Sequence, residues 1–153
     1  MKPKLLVSAC LLGTPCRYDG KSKKNEAVCA LAERFELIPV CPEVLGGLPT
    51  PRTPSERRGA CVGRKDGRDV TAEYRRGAEC ALETAQREGV LAAVLKERSP
   101  SCGSGEIYDG TFTGALTAGD GVTAELLKAN GITVYGESEQ SLTELLCSVS
   151  HST

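Results

Sequence analysis

Four short apolar runs alternate with helix-patterned stretches along this chain, and that alternation leaves few folds open. Residues 4–9, 36–40, 90–96 and 132–135 read as strands. Between and after them come four helical patterns: residues 25–35, a stretch from Asp69 or Thr71 to 88, residues 121–130, and one opening at Ser138 or Ser141. In the first, Val28, Leu31, Ala32 and Phe35 recur at helical spacing. Asp69 or Thr71 suits an N-cap. Gly89 and Gly131 supply C-terminal stops. Glu144 stands three residues after Ser141, the spacing of a capping box. Strand–helix alternation of this kind predicts an α/β fold: a small doubly wound, Rossmann-like parallel sheet with right-handed crossovers. The 153 residues suit a single domain with one core. We set that domain at residues 1–147 and read 148–153 as a flexible tail.

Three segments carry no regular pattern: 11–24, 41–68 and 98–117. Loops of such length inside a small domain are commonly functional. A cysteine that follows a strand borders or lies in each. Cys10 closes Leu-Leu-Val-Ser-Ala-Cys, Cys41 closes Leu-Ile-Pro-Val-Cys, and Cys102 lies in Ser-Pro-Ser-Cys-Gly. In a parallel sheet the loops after the strands gather at the carboxyl edge, where ligands bind. Three thiols brought together there make a soft, three-toothed metal site. Three protein ligands on a tetrahedral metal or a cubane cluster leave one position open, the mark of catalytic centres. Cys16, six residues after Cys10, is a candidate fourth ligand that would close the site. Cys29, Cys80 and Cys147 fall on helix patterns and read as packing residues. Cys61 reads as an exposed thiol.

Eight cysteines in a chain that has a core without disulfides point to a reducing compartment, and the expected location is the cytoplasm. Val7-Ser8-Ala9-Cys10 imitates a lipoprotein cleavage site, but the apolar stretch before it is too short for a signal peptide. No run approaches membrane-spanning length. A net charge of −1 removes the electrostatic case for nucleic acid or an anionic membrane. There is no C-x-x-C pair, which argues against a zinc ribbon and a thioredoxin-type dithiol.

The sole histidine, His151, stands at the chain end and reads as solvated. Proton transfer therefore falls to carboxylates, Lys, Tyr or thiols. Glu43, two residues after Cys41, is the best-placed carboxylate. Ser99 and Ser101 put hydroxyls beside Cys102. Gly46-Gly47, Gly103-Ser104-Gly105 and Gly119-Asp120-Gly121 match neither a dinucleotide fingerprint nor a P-loop. Arg17, Arg52 and Arg57 are candidates for orienting a polar substrate.

Val-Ser-Ala-Cys-Leu-Leu-Gly with Cys-Arg-Tyr-Asp-Gly, Cys-Pro-Glu-Val-Leu-Gly-Gly-Leu-Pro-Thr-Pro-Arg, Ser-Pro-Ser-Cys-Gly, Tyr-Asp-Gly-Thr-Phe and Gly-Val-Thr-Ala-Glu-Leu-Leu together resemble the thiouracil desulfidase family. The resemblance spans residues 5 to 137. It implies a 4Fe–4S cluster on Cys10, Cys41 and Cys102 with one open iron. The implied reaction is non-redox exchange of a thiolated base's sulfur for oxygen, with release of sulfide. Glu43 and Ser101 match positions for acid/base and positioning roles, and Arg17, Arg52 and Asp109 are loop residues that would hold the base. The implied partner is a small thiolated base. An aerobic preparation can lose such a cluster or carry another ion in its place. Two other readings compete: a structural zinc module on Cys10, Cys16, Cys41 and Cys102, and a sulfur carrier or tRNA-thiolation partner.

Overall fold

Leu5, Leu6 and Val7 are each 0% exposed. Three buried residues in succession mean that both faces of their strand are covered, as in a parallel sheet flanked by helices. The computed structural model describes residues 2–150. Its elements begin β1 (Lys4–Ser8), α1 (Glu26–Ala30), β2 (Glu36–Val40), α2 (Pro42–Leu45), β3 (Ser55–Arg58), β4 (Cys61–Arg64) and α3 (Thr71–Glu88). They continue with β5 (Ala92–Val94), β6 (Glu106–Tyr108), β7 (Leu116–Ala118), α4 (Val122–Ala129), β8 (Val134–Tyr135) and α5 (Glu139–Ser150).

β1, β2, β5 and β8 form one sheet in the order β2-β1-β5-β8. All three pairings are parallel. The chain steps outward from β1 to β2, then returns to the other side of β1 for β5 and β8. The strand order thus reverses between β1 and β5, and such a switch opens a crevice at the carboxyl ends. Leu5 and Val7 pack on one face with Val28, Leu31, Phe35, Leu142 and Leu145. Leu6 and Ala93 pack on the other with Ala85, Ala124 and Leu127. Helices therefore cover both faces, and the doubly wound α/β architecture is the one the strand–helix alternation predicts.

The irregular segments hold more structure than their sequences announce. Segment 41–68 contains α2 and the antiparallel hairpin β3-β4. Segment 98–117 contains the hairpin β6-β7. Helix α1 stops at Ala30, and residues 31–33 tighten into a 3-10 turn. The backbone N–H of Glu36 donates to the Pro3 carbonyl at 2.9 Å, so the chain must leave the helix early to enter β2.

The last helix is capped by Ser138, whose Oγ accepts the Ser141 N–H at 3.2 Å. Ser141 turns its own hydroxyl to the Gly136 N–H at 2.7 Å, so it does not serve as the N-cap. α5 runs to Ser150. His151 and the rest of the proposed tail lie outside the described residues.

One contact positions the site. A Cβ on Gly46 would lie 2.0 Å from the Glu73 carbonyl oxygen, and one on Gly77 would lie 1.9 Å from that of Pro42. Glycine at both positions lets the backbones of α2 and α3 touch. A glycine inside a helix costs about 0.5–1 kcal/mol relative to Ala. Here it brings the segment after Cys41 directly against α3.

Candidate active site

Cys10 lies in a 3-10 turn (Ala9–Leu12) that follows β1. Cys41 follows β2 and stands just before α2, with Pro42 at the first helical position. Cys102 sits in the loop after β5. All three line one cavity of about 620 Å³ at the carboxyl edge of the sheet, together with Cys16, Arg17, Glu43 and Arg52. Cys10, Cys16 and Cys102 are buried and Cys41 is half-buried. Cys10 packs within the core cluster on one face of the sheet.

The other cysteines lie elsewhere. Cys29 donates to the Leu11 carbonyl at 3.8 Å. Cys80 is half-buried, and Cys61 and Cys147 are exposed. Cys147 is thus not the packing residue its helical position suggested, and Cys61 belongs to a strand rather than a loop.

The four thiols on this cavity influence one another's ionisation. Hydrogen bonding with Cys10 and then burial push the Cys16 thiol up, against an opposing effect of Cys41. Hydrogen bonding with Cys16 and burial raise Cys41 strongly. Burial, followed by the Glu43 charge, pushes Cys102 up to about 12. Such thiols hold their protons until a metal-bearing group replaces them.

Among the described residues, no three His, Cys, Asp or Glu side chains converge tightly enough for a single ion. Three soft donors spread around one cavity fit a multi-atom iron–sulfur cluster, which takes thiolate ligands.

Glu43 is the carboxylate held beside these thiols. Its Oε2 accepts from Arg52 Nη2 at 2.8 Å, Arg52 Nε at 3.1 Å and the Tyr74 hydroxyl at 3.0 Å. Oε1 takes part in none of these three bonds. Arg52 also donates to the carbonyls of Cys16 and Pro49, both at 3.1 Å. Burial opposes charge on Arg52, but Glu43 outweighs it and raises the guanidinium further. Tyr74 is raised by burial and by the Glu43 charge. Arg52, one of the expected base-holding residues, is thus committed to Glu43.

Ser101 is fully buried, and its Oγ lies 2.7 Å from Thr123 Oγ1. It does not line the cavity; Ser99, Pro100 and Cys102 do. The Ser101 and Ser8 hydroxyls instead sit beside the Cys102 thiol, where both favour its ionised form. Ser99 Oγ accepts the N–H groups of Ser101 and Cys102, each at 3.1 Å. The Pro100 and Ser101 carbonyls accept from Val122, Thr123 and Ala124, so this loop satisfies the free N–H groups that open α4.

Asp109 is not on the cavity wall either. Its carboxylate accepts from the Thr111 N–H and hydroxyl at 2.9 and 2.6 Å, and these bonds hold it below the ordinary carboxylate range. Arg17 does line the cavity; its guanidinium carbon stands 5.6 Å from the Tyr18 ring centroid. Arg57 bridges to Glu125 at 2.8 Å and to the Asp120 carbonyl, tying β3 to α4. Tyr74 escaped the sequence reading because it carries the spacing of an ordinary core residue of α3.

The comparisons agree with this geometry. The 2-thiouracil desulfurase family matches residues 5–139. Protein YbbK of Bacillus subtilis (strain 168), described as uncharacterized, is 43% identical over 145 residues, covering 88% of this chain and 96% of its own. A solved structure of the 4Fe–4S-dependent thiouracil desulfidase TudS is 51% identical, covers 97% of this chain and 99% of its own, and superposes with a TM-score of 0.90. With three strand-end cysteines on one cavity and a family match over nearly its whole length, the chain belongs to the 2-thiouracil desulfurase family.

Proposed function

We propose that this protein removes sulfur from 2-thiouracil-like bases, with a 4Fe–4S cluster held by Cys10, Cys41 and Cys102. The observation that carries the proposal is that these three thiols and Glu43 open onto one cavity at the sheet's switch point. The 51% identity to the 4Fe–4S-dependent TudS supplies the substrate class. The overall reaction balances without redox change: thiocarbonyl plus water gives carbonyl plus hydrogen sulfide. The chemistry supplied by a bound cluster is that of a thiophilic Lewis acid toward the substrate's sulfur.

The chain's own residues do the rest. Glu43 takes a proton from the attacking water on Oε1, while Arg52 and Tyr74 hold Oε2. Such a general base contributes about 10²–10⁴-fold. Ser101 acts from behind Cys102, keeping that thiolate in place with Thr123 and Ser8. Arg17 orients the base from the cavity wall. Asp109 shapes the β6-β7 turn.

Among the described residues no helix is long and apolar enough to cross a membrane. We place the protein in the reducing cytoplasm, where eight free thiols are stable.

The test is anaerobic reconstitution followed by assay of bound iron and of sulfide released from 2-thiouracil. A brown, iron-loaded protein that frees sulfide and uracil supports the reading. A colourless zinc protein overturns it. Sulfide delivered only to an acceptor protein overturns the enzyme in favour of a carrier.

A further inference from the structure

Phe112 stands in the turn between β6 and β7 with φ +58. A bulky side chain rarely adopts that left-handed backbone, because Cβ crowds the neighbouring carbonyl. Such strain persists only where surrounding contacts enforce it. Here they do. Glu56, on β3, accepts the Gly110 N–H at 3.0 Å and the Phe112 N–H at 3.1 Å with one oxygen. The Asp109 carboxylate secures Thr111 between them.

The ring is only half-buried, and it belongs to none of the three apolar clusters of the core. It lines the same cavity as the three thiols and Glu43. The turn geometry alone would be met more easily by glycine. The fold therefore holds an aromatic ring at a strained position on the cavity wall without using it for packing.

A single-ring base fills only part of a cavity of about 620 Å³. Its orientation has to come from a particular wall. Of the other aromatic residues there, Tyr18 is 42% exposed and already faces the Arg17 guanidinium, Tyr74 is committed to Glu43, and Tyr108 is a half-buried residue of β6.

Building on the proposed desulfuration, we propose that Phe112 is a substrate-contacting specificity residue whose ring stacks on the planar thiolated heterocycle. Glu56 is its positioning residue, holding the turn that presents the ring.

The experiment uses cluster-loaded protein of verified iron content in the wild type and in Phe112→Leu, Phe112→Tyr and Glu56→Ala. Each is assayed with 2-thiouracil and with 5,6-dihydro-2-thiouracil, whose puckered ring lacks a full π face. Uracil affinity is measured by calorimetry, independently of turnover. Comparing the substrate ratio between variants cancels the intrinsic reactivity of the two thiocarbonyls.

Phe112→Leu should raise KM for 2-thiouracil and weaken uracil binding by about 10-fold, the size of one base–aromatic stack. Its discrimination against the dihydro compound should collapse. Phe112→Tyr should keep both. Glu56→Ala should raise KM with little change in kcat. A wild-type enzyme that turns over 2-thiouracil, beside a Phe112→Leu enzyme with unchanged uracil affinity and substrate ratio, overturns the aromatic wall alone. A wild-type enzyme that releases no sulfide overturns the functional reading beneath it.

Discussion

The hydroxyl of Tyr74 donates to Glu43 Oε2 across 3.0 Å, joining the middle of the site to the first turn of α3. Tyr74 is 2% exposed, and the same carboxylate oxygen already accepts twice from Arg52. All three donors gather on one oxygen, so rotation of the carboxylate is arrested. Removing the hydroxyl loosens that hold. A hydrogen bond to a charged group is worth about 1.5–3 kcal/mol. Tyr74→Phe should therefore keep its iron and lower kcat about 10-fold, with KM nearly unchanged. Steady-state sulfide release on iron-quantified protein measures this, and an unaltered kcat would remove Tyr74 from the mechanism.

Glu43→Gln preserves shape and abolishes the base. Its iron content and visible spectrum should match the wild type. Sulfide release from 2-thiouracil should fall by about 10²-fold or more. Normal turnover would assign the base elsewhere, and loss of iron would make Glu43 a support of the metal site.

Cys10→Ser, Cys41→Ser and Cys102→Ser should each lose stable cluster binding, since two soft ligands are too few. Cys16 lines the same cavity and its carbonyl accepts from the Cys41 thiol at 3.8 Å, yet Cys16→Ser should retain iron. Iron analysis after anaerobic reconstitution separates the cases. An iron-free Cys16→Ser protein would show a four-cysteine site.

Gly77→Ala should destabilise the fold, although Gly→Ala inside a helix ordinarily gains about 0.5–1 kcal/mol. The added Cβ would meet the Pro42 carbonyl oxygen at 1.9 Å, and backbone on both sides leaves little room to relax. Overpacking of this kind costs about 1–3 kcal/mol. Urea denaturation should show a lower midpoint. Because α2 must shift away from α3, Glu43 should part from Tyr74 and turnover should drop with stability.

The four strands of the main sheet and the cysteine-bearing edge were legible in the chain itself. β5 is buried throughout and β1 everywhere but at Lys4, so each writes an apolar run into the sequence. Cys10, Cys41 and Cys102 each follow a strand of this sheet, and parallel topology sends all three to one edge without further information. The motifs around them carried the family.

What the tertiary structure decided lies where no buried face leaves a periodic signal. β3 reads Ser-Glu-Arg-Arg and β7 lies fully exposed. Two-stranded hairpins of this kind are marginal alone and form here against the rest of the fold. α2 has four residues, too few to nucleate unaided. The partners of Glu43 come from residues 52 and 74, and their meeting depends on the glycine contact between α2 and α3. Ser101 and Asp109 turned away from the cavity because nearby groups satisfy them: Thr123 for one, Thr111 for the other. A residue's type is written locally. Which hydrogen-bond partner claims it is settled only when distant segments pack, since each polar group left inside must find one.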